Sequence, residues 1–352
     1  MPALDTLRAL AVALVLYTHY LPEPYWYRGV YWGEQGVRLF FVLSGFLITG
    51  LLLDRDRLGE DPLREFGRFM LARLARLYPC LLLYLLAFRV LGGSWTWQLI
   101  PWDAVYLTNL RIVLWNSWGS VDAHLWSLSV EQQFYLVWPW VIALVPRRWL
   151  PGAVLLAIGG ALAFRSAWSS AGLGPFGIWV LPMAHLDSLG LGALVAVALR
   201  RGVPHRVLVP ALLAASALGW GLSAAQILPL AGPRNTAAAC LFAAIVLACA
   251  RRMRAPAARV LLEAPPLVYL GRISYGIYVY HQLAPRVLAG LLDRPVSGVA
   301  EALACAALTV VIAAASHALV EQPIRAAVAR RLRRQPDPDP DPAGPSVPAP
   351  SP

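Results

Sequence analysis

Arg8 and His19 lie eleven positions apart in the apolar run from Leu4 to Tyr20. In a helix that spacing is about three turns and roughly 16 Å of rise, so both side chains leave one face at different depths. Ionisable groups inside a bilayer are costly and mark functional sites by default. An imidazole with an unperturbed pKa of about 6.5 suits a general base near neutrality, and a guanidinium suits a phosphate. This pair is the first place to look for chemistry.

Further chemistry-bearing residues follow along the chain. Arg38 lies a few residues into an apolar stretch that continues through Ser44-Gly45, a small-residue pair that permits close helix packing. Arg68, Arg73 and Arg76 come next, and Arg73 and Arg76, three apart, share a helix face. They hold a loop on the cytoplasmic side, clamp phosphates, or do both. Glu131 sits about two turns into an apolar helix that begins near His124, so it is neutral, paired or in a wet cavity. A structural pairing with Arg38 or another buried arginine stands beside a catalytic role for it. His124 reads as an interfacial histidine, and Asp187 follows in Ala184-His185-Leu186-Asp187-Ser188-Leu189-Gly190. Ser274, Tyr278 and His281 form one polar stripe at spacings of four and three, read first as interhelical hydrogen bonding. His317 and Glu321, four apart, can pair with each other.

The elements that position these residues must be membrane helices. Of 352 residues, 59% are hydrophobic and 14% charged, and the mean hydropathy is +0.59. A soluble domain of this length carries far more charge. The fold class is therefore all-α, a polytopic transmembrane helical bundle. No charged segment precedes the first apolar run and no small-residue cleavage site follows it, so the first helix is expected to act as an uncleaved anchor. All thirty basic residues are arginine and the net charge is +11; their placement argues for membrane orientation rather than nucleic-acid binding. Cys80, Cys240, Cys249 and Cys305 fall in apolar stretches without metal-ligand spacing, and no metal is expected.

A span needs about twenty apolar residues. The pattern predicts helices near 5–22, 34–53, 74–93, 99–115, 124–145, 150–168, 179–199, 207–224, 235–250, 268–290 and 297–320. The 99–115 segment holds Pro101, Asp103, Asn109 and Arg111, and reading it as re-entrant or interfacial leaves ten spans. Twenty arginines then fall on the cytoplasmic side, against Arg28, Arg111, Arg165, Arg234 and Arg294 opposite. That bias fits ten spans with both termini cytoplasmic. Residues 1–325 are expected to form one transmembrane domain and 326–352 a basic, then Pro-rich, disordered tail.

These pieces together resemble the acyltransferase-3 family of integral-membrane acyltransferases, which modify bacterial surface sugars and some secreted metabolites. The matching pieces are Leu-Asp-x-Leu-Arg-Ala from Leu4, Arg8 and His19 with ten residues between, and Gly-Val-x-Leu-Phe-Phe-Val-Leu-Ser-Gly-Phe-Leu-Ile from Gly36. They continue with Arg73-x-x-Arg76 and Pro79, Leu-Trp-Ser-Leu-Ser-Val-Glu from Leu125, Ile-Ser-Tyr from Ile273 with His281, and Glu321-x-Pro323. The match runs over about residues 4 to 325. Two departures are Gln132 after Glu131, where a second glutamate is common, and His185, where an arginine often precedes the Asp187 position by two. Some members carry an added extracytoplasmic hydrolase-like domain; the expectation for this chain is one membrane domain without it.

The resemblance implies transfer of an acyl group, acetyl by default, from cytoplasmic acyl-CoA to a hydroxyl of a sugar or glycosylated acceptor. It implies His19 as the catalytic residue and Arg8, Arg73 and Arg76 as donor-binding residues. Glu131 joins His19 as a candidate that orients or charge-balances it. Arg38, Ser44, Asp187, Ser274, Tyr278 and His281 are candidate substrate-binding residues. The expected partners are acyl-CoA, a carbohydrate or glycoside acceptor and the lipid bilayer of the inner (cytoplasmic) membrane; no nucleic acid is expected. The CoA phosphates would stay against the arginines while the thin, neutral pantetheine arm, whose reach is comparable to the rise from Arg8 to His19, threads inward. Base catalysis and a transient acyl-histidine both remain open at this point. The alternative function is a proton-coupled transporter or flippase using the same buried charges. Against it, no paired repeat of Gly/Pro-broken spans is evident.

Overall fold

The computed structural model of the chain describes residues 1–21, 31–54, 61–91, 97–119, 121–225, 232–251 and 260–334. Arg28, Arg55, Arg57, Arg252, Arg254 and Arg259 of the loop-charge argument, and the Pro-rich tail from 335, lie outside the described residues. Among the described residues every regular element is helical. In chain order these are α1 Pro2–Tyr20, α2 Trp32–Asp54, α3 Pro62–Leu91, α4 Ile100–Ala104, α5 Thr108–Leu114, α6 Trp126–Leu144, α7 Leu150–Ser170 and α8 Phe176–Val180. They continue with α9 Leu186–Arg200, α10 His205–Ala224, α11 Gly232–Ala250, α12 Pro265–Arg272, α13 Ser274–Tyr280, α14 Ala284–Leu292, α15 Val299–Ser316 and α16 Gln322–Arg334.

Among the described residues, seven helices are long and apolar enough to cross a membrane: 32–54, 62–91, 150–170, 182–200, 205–224, 233–250 and 299–332. The protein is a multi-pass membrane protein. α1 and α6, 19 residues each, have comparable length. Arg8 and His19 dilute the one, and Glu131, Gln132 and Gln133 the other, below that apolar average. α1 and α6, which hold Arg8, His19 and Glu131, are thus less apolar than these seven.

Two expected helices are broken instead. The 99–115 segment splits into α4 and α5 around Tyr106, whose φ is 56°. At five and seven residues neither piece is long enough to span. The 268–290 segment divides into α12, α13 and α14, and Pro285, in the first turn of α14, opens the last of these. That break leaves His281 and Gln282 outside regular helix, on the turn between α13 and α14.

Arg111 and Arg165, assigned to outer loops from the charge pattern, are instead fully buried and paired. Arg111 meets Asp122 at 2.5 Å, and Arg165 meets Asp187 at 2.8 Å. Neither therefore contributes to a loop-charge argument. His317 and Glu321 do pair, at 3.4 Å, across a π-helical turn joining α15 to α16. The domain boundary expected at 325 falls inside α16, which holds Arg325, Arg330, Arg331, Arg333 and Arg334. Nothing in that stretch after Pro323 breaks a helix, and the next proline is Pro336.

The bundle centre is the contact of α2 with α1 on one side and α9 on the other. Ser44-Gly45 permits this crossing as its composition suggests. A Cβ at Gly45 would run into the carbonyl of Leu189, and one at Gly192 into the carbonyl of Val42. The obstacles are backbone and cannot rotate away. Gly45→Val should therefore lower stability by about 1–3 kcal/mol, read as an earlier thermal transition of detergent-purified protein. An unchanged transition would show that α2 and α9 are not held this closely.

Candidate active site

Two neighbouring cavities collect most of the polar residues singled out above. α1 delivers Arg8 to the first near its start and His19 to the second in its last turn. The helical spacing that separates them by about three turns is what assigns them to different chambers.

The first cavity has a volume of about 80 Å³ and is lined by Arg8, Arg73, Arg76, Ser44, Glu131 and Ser274, among others. Arg73 and Arg76 come from α3, one turn apart. Glu131 accepts a hydrogen bond from the Ser44 hydroxyl at 2.6 Å, and Tyr135 donates to the Ser44 oxygen at 3.3 Å. Arg8 also meets Asp5 at 3.1 Å. Three guanidinium groups against one carboxylate make the lining net positive, which suits phosphate or a carbonyl developing negative charge.

The second cavity is larger, about 590 Å³, and is lined by His19, Glu34, His124 and Gln282 with Tyr31 and three tryptophans, Trp118, Trp126 and Trp179. Trp118 and Trp179 stack at 5.8 Å with an interplanar angle of 12°. His19 is exposed, its ring open to this space. Its Nδ1 accepts a hydrogen bond from the Gln282 amide at 2.9 Å. Behind it His281 is fully buried, with its ring 4.7 Å from His19 and 4.8 Å from His124. The His281 carbonyl accepts from Tyr20 at 2.5 Å.

Val37 and Tyr278 line both cavities, so they form the partition. Tyr278 is pinned there. Its hydroxyl donates to the His124 carbonyl at 2.8 Å and accepts from Ser127 at 2.6 Å. The expected stripe on α13 thus runs from one chamber to the other: Ser274 on the arginine side, Tyr278 between, His281 behind His19.

Several residues lie elsewhere than the spacing suggested. Glu131 does not reach the His19 cavity; it sits with Ser44 among the arginines. Arg38 does not pair with Glu131. It is buried, bonded to Glu34 one turn earlier and 3.5 Å from the Ser188 hydroxyl, and it lines neither cavity. Asp187 also lines neither. It is fully buried, held by Arg165, by Thr236 at 2.6 Å and by the Ser188 amide at 2.7 Å. His124 is buried rather than interfacial. Sequence reasoning missed Gln282, Glu34 and the tryptophan wall. The signals were faint: Gln282 adjoins His281, and Glu34 stands four before Arg38.

The acyltransferase domain family matches residues 1–318. A peptidoglycan O-acetyltransferase of Listeria monocytogenes is 27% identical over 92% of this chain and 56% of its own length. An acyltransferase of Streptomyces mycarofaciens is 29% identical over 85% of this chain and 82% of its own. An O-acetyltransferase of Staphylococcus aureus is 33% identical over 44% of this chain and 27% of its own. The chain therefore spans little more than half of the Listeria protein and about a quarter of the Staphylococcus one. No solved structure matches it.

Proposed function

The chain belongs to the acyltransferase domain family, and from that premise we propose that it moves an acyl group, acetyl by default, from cytoplasmic acyl-CoA to a hydroxyl of a sugar or glycosylated acceptor. The observation that carries this reading is the shared wall. A guanidinium-lined chamber adjoins a histidine-bearing one, and Val37 and Tyr278 line both. The O-acetyltransferase names of two relatives support the carbohydrate acceptor and the acetyl group.

Phosphates cannot enter hydrocarbon, and a cavity of about 80 Å³ admits no nucleotide. The nucleotide end therefore stays at the mouth, against Arg8, Arg73 and Arg76, while the pantetheine arm passes Val37 and Tyr278. Its thioester meets the acceptor in the larger chamber, where the stacked tryptophans offer flat apolar faces to a sugar ring. His19 takes the proton of the acceptor hydroxyl as its oxygen attacks the thioester carbonyl carbon. The tetrahedral intermediate collapses with cleavage of the C–S bond, and the CoA thiolate takes that proton from the imidazolium. One ester and one thiol result. Ser274 and Tyr278 border the path of the donor arm. Glu131, beside Ser44, balances charge on the arginine side rather than at His19.

This reading extends the seven apolar helices to ten spans by adding α1, α6 and the broken 265–292 segment, with both termini in the cytoplasm of an inner-membrane protein. The test is transfer of radiolabel from acetyl-CoA by the purified protein in vesicles to a β-1,4-linked N-acetylglucosamine tetramer or an alkyl glucoside. Acyl-CoA-dependent ester formation is the expected result; uptake of either sugar without ester formation would replace the enzyme with a carrier. Arg73→Ala and Arg76→Ala should each raise the KM for acetyl-CoA roughly tenfold, the loss of one charge-assisted contact, with kcat little changed. An unaltered KM in both would remove the phosphate clamp.

A further inference from the structure

Gln282 meets two histidines through one atom. Its amide nitrogen is 2.9 Å from His19 Nδ1 and 3.2 Å from His281 Nε2. Which proton sits where follows from the far end of this chain. His281 Nδ1 lies 2.5 Å from the carbonyl of Tyr278, and a carbonyl only accepts, so Nδ1 carries the hydrogen. In the neutral ring Nε2 is then a bare acceptor. Only an N–H can meet it, which fixes the Gln282 amide with its nitrogen toward both rings. The second hydrogen of that nitrogen goes to His19 Nδ1, so His19 carries its own proton on Nε2.

We propose that Gln282 is a positioning residue that sets the tautomer of His19, on instruction from the Tyr278 carbonyl through His281. In this arrangement the His19 lone pair is occupied and the nitrogen left for a ligand, Nε2, is an N–H donor. His19 becomes a base at Nε2 when the amide turns over, so that its oxygen accepts from Nδ1–H. The same turn withdraws the donor from His281, which couples the two histidines: one amide cannot donate to His281 and accept from His19 through the same atom. The acid–base role at stake rests on the reading above; the tautomer assignment does not.

The experiment is nitrogen-15 NMR of histidine-labelled protein in nanodiscs at neutral pH, with the His19 signals assigned by loss in His19→Ala. The wild type should show Nε2 protonated and Nδ1 bare. Gln282→Glu offers only acceptors, so His19 should move to the Nδ1–H or doubly protonated form. Gln282→Leu, of similar volume, should leave a mixture. A wild-type His19 protonated on Nδ1, or variants with wild-type signals, would overturn the proposal. In the transfer assay Gln282→Leu should lower kcat roughly tenfold with the KM for acetyl-CoA unchanged, and Gln282→Glu should recover part of that loss. Equal kcat in both variants and the wild type would also overturn it. If His19→Ala transfers normally while the tautomers shift as stated, the failure belongs to the proposed function and not to Gln282.

Discussion

His19→Ala should lower acyl transfer by about 10²–10⁴-fold while the protein still inserts and purifies folded. The expectation combines two physical facts. The ring is exposed to the larger cavity and bonds only to Gln282 among the described side chains, so its removal strands no buried charge. A positioned base contributes to the barrier in proportion to how poorly the acceptor hydroxyl ionises unaided, and a sugar hydroxyl ionises poorly. Affinity for acetyl-CoA should persist, since the arginines we propose as its phosphate contacts line the other cavity. Steady-state transfer together with CoA-analogue binding checks both halves. Near-normal turnover would end the role of His19; lost binding would mean that the two chambers are not separable in this way.

The largest stability effect is expected from Arg165→Met. Arg165 is 2% exposed and Asp187 0%, and their contact is 2.8 Å. Removing the cation leaves a carboxylate in a closed site, which costs about 3–5 kcal/mol. Asp187 keeps Thr236 and the Ser188 amide as donors, so Asp187→Asn should be milder, and Arg165→Met with Asp187→Leu should recover much of the loss. Thermal unfolding of purified protein reads this. The same variants decide what Asp187 does. If activity per folded molecule and acceptor KM stay near wild type in Asp187→Asn, its role is to join α7, α9 and α11. A raised acceptor KM would restore it to substrate binding.

Helix existence was largely legible because apolar runs of about twenty residues have few other solutions in a bilayer. α1 and α2 fall within a few residues of expectation. What misled was continuity. Hydropathy averages over a window, so it cannot see that Pro285 starts a fresh helix. Pro101, Asp103, Asn109 and Arg111, by contrast, did mark 99–115 as a segment that need not span, and its pieces are too short to do so. Those breaks place Gln282 and the Arg111–Asp122 pair, and neither was foreseen. Charge counting failed for Arg111 and Arg165 for a related reason: it treats arginine near a helix end as solvated, whereas both are sealed against carboxylates. Spacing along one helix correctly separated Arg8 from His19. It carried no information about which helix Glu131 would face, since periodicity defines a face and not its neighbour.

In the proposed reaction a donor anchored at the arginines delivers its acyl end to position 19. A His19→Cys variant treated with bromoacetyl-CoA reads that delivery, because the introduced thiolate displaces bromide only where the acyl carbon arrives. Cys80, Cys240, Cys249 and Cys305 are buried and give a low background. Mass spectrometry should find a CoA-bearing adduct at position 19 that acetyl-CoA suppresses and that Arg73→Ala with Arg76→Ala abolishes. An unmodified thiol at that position, with Ser44→Cys in the arginine cavity readily labelled, would mean that the acyl end never reaches position 19.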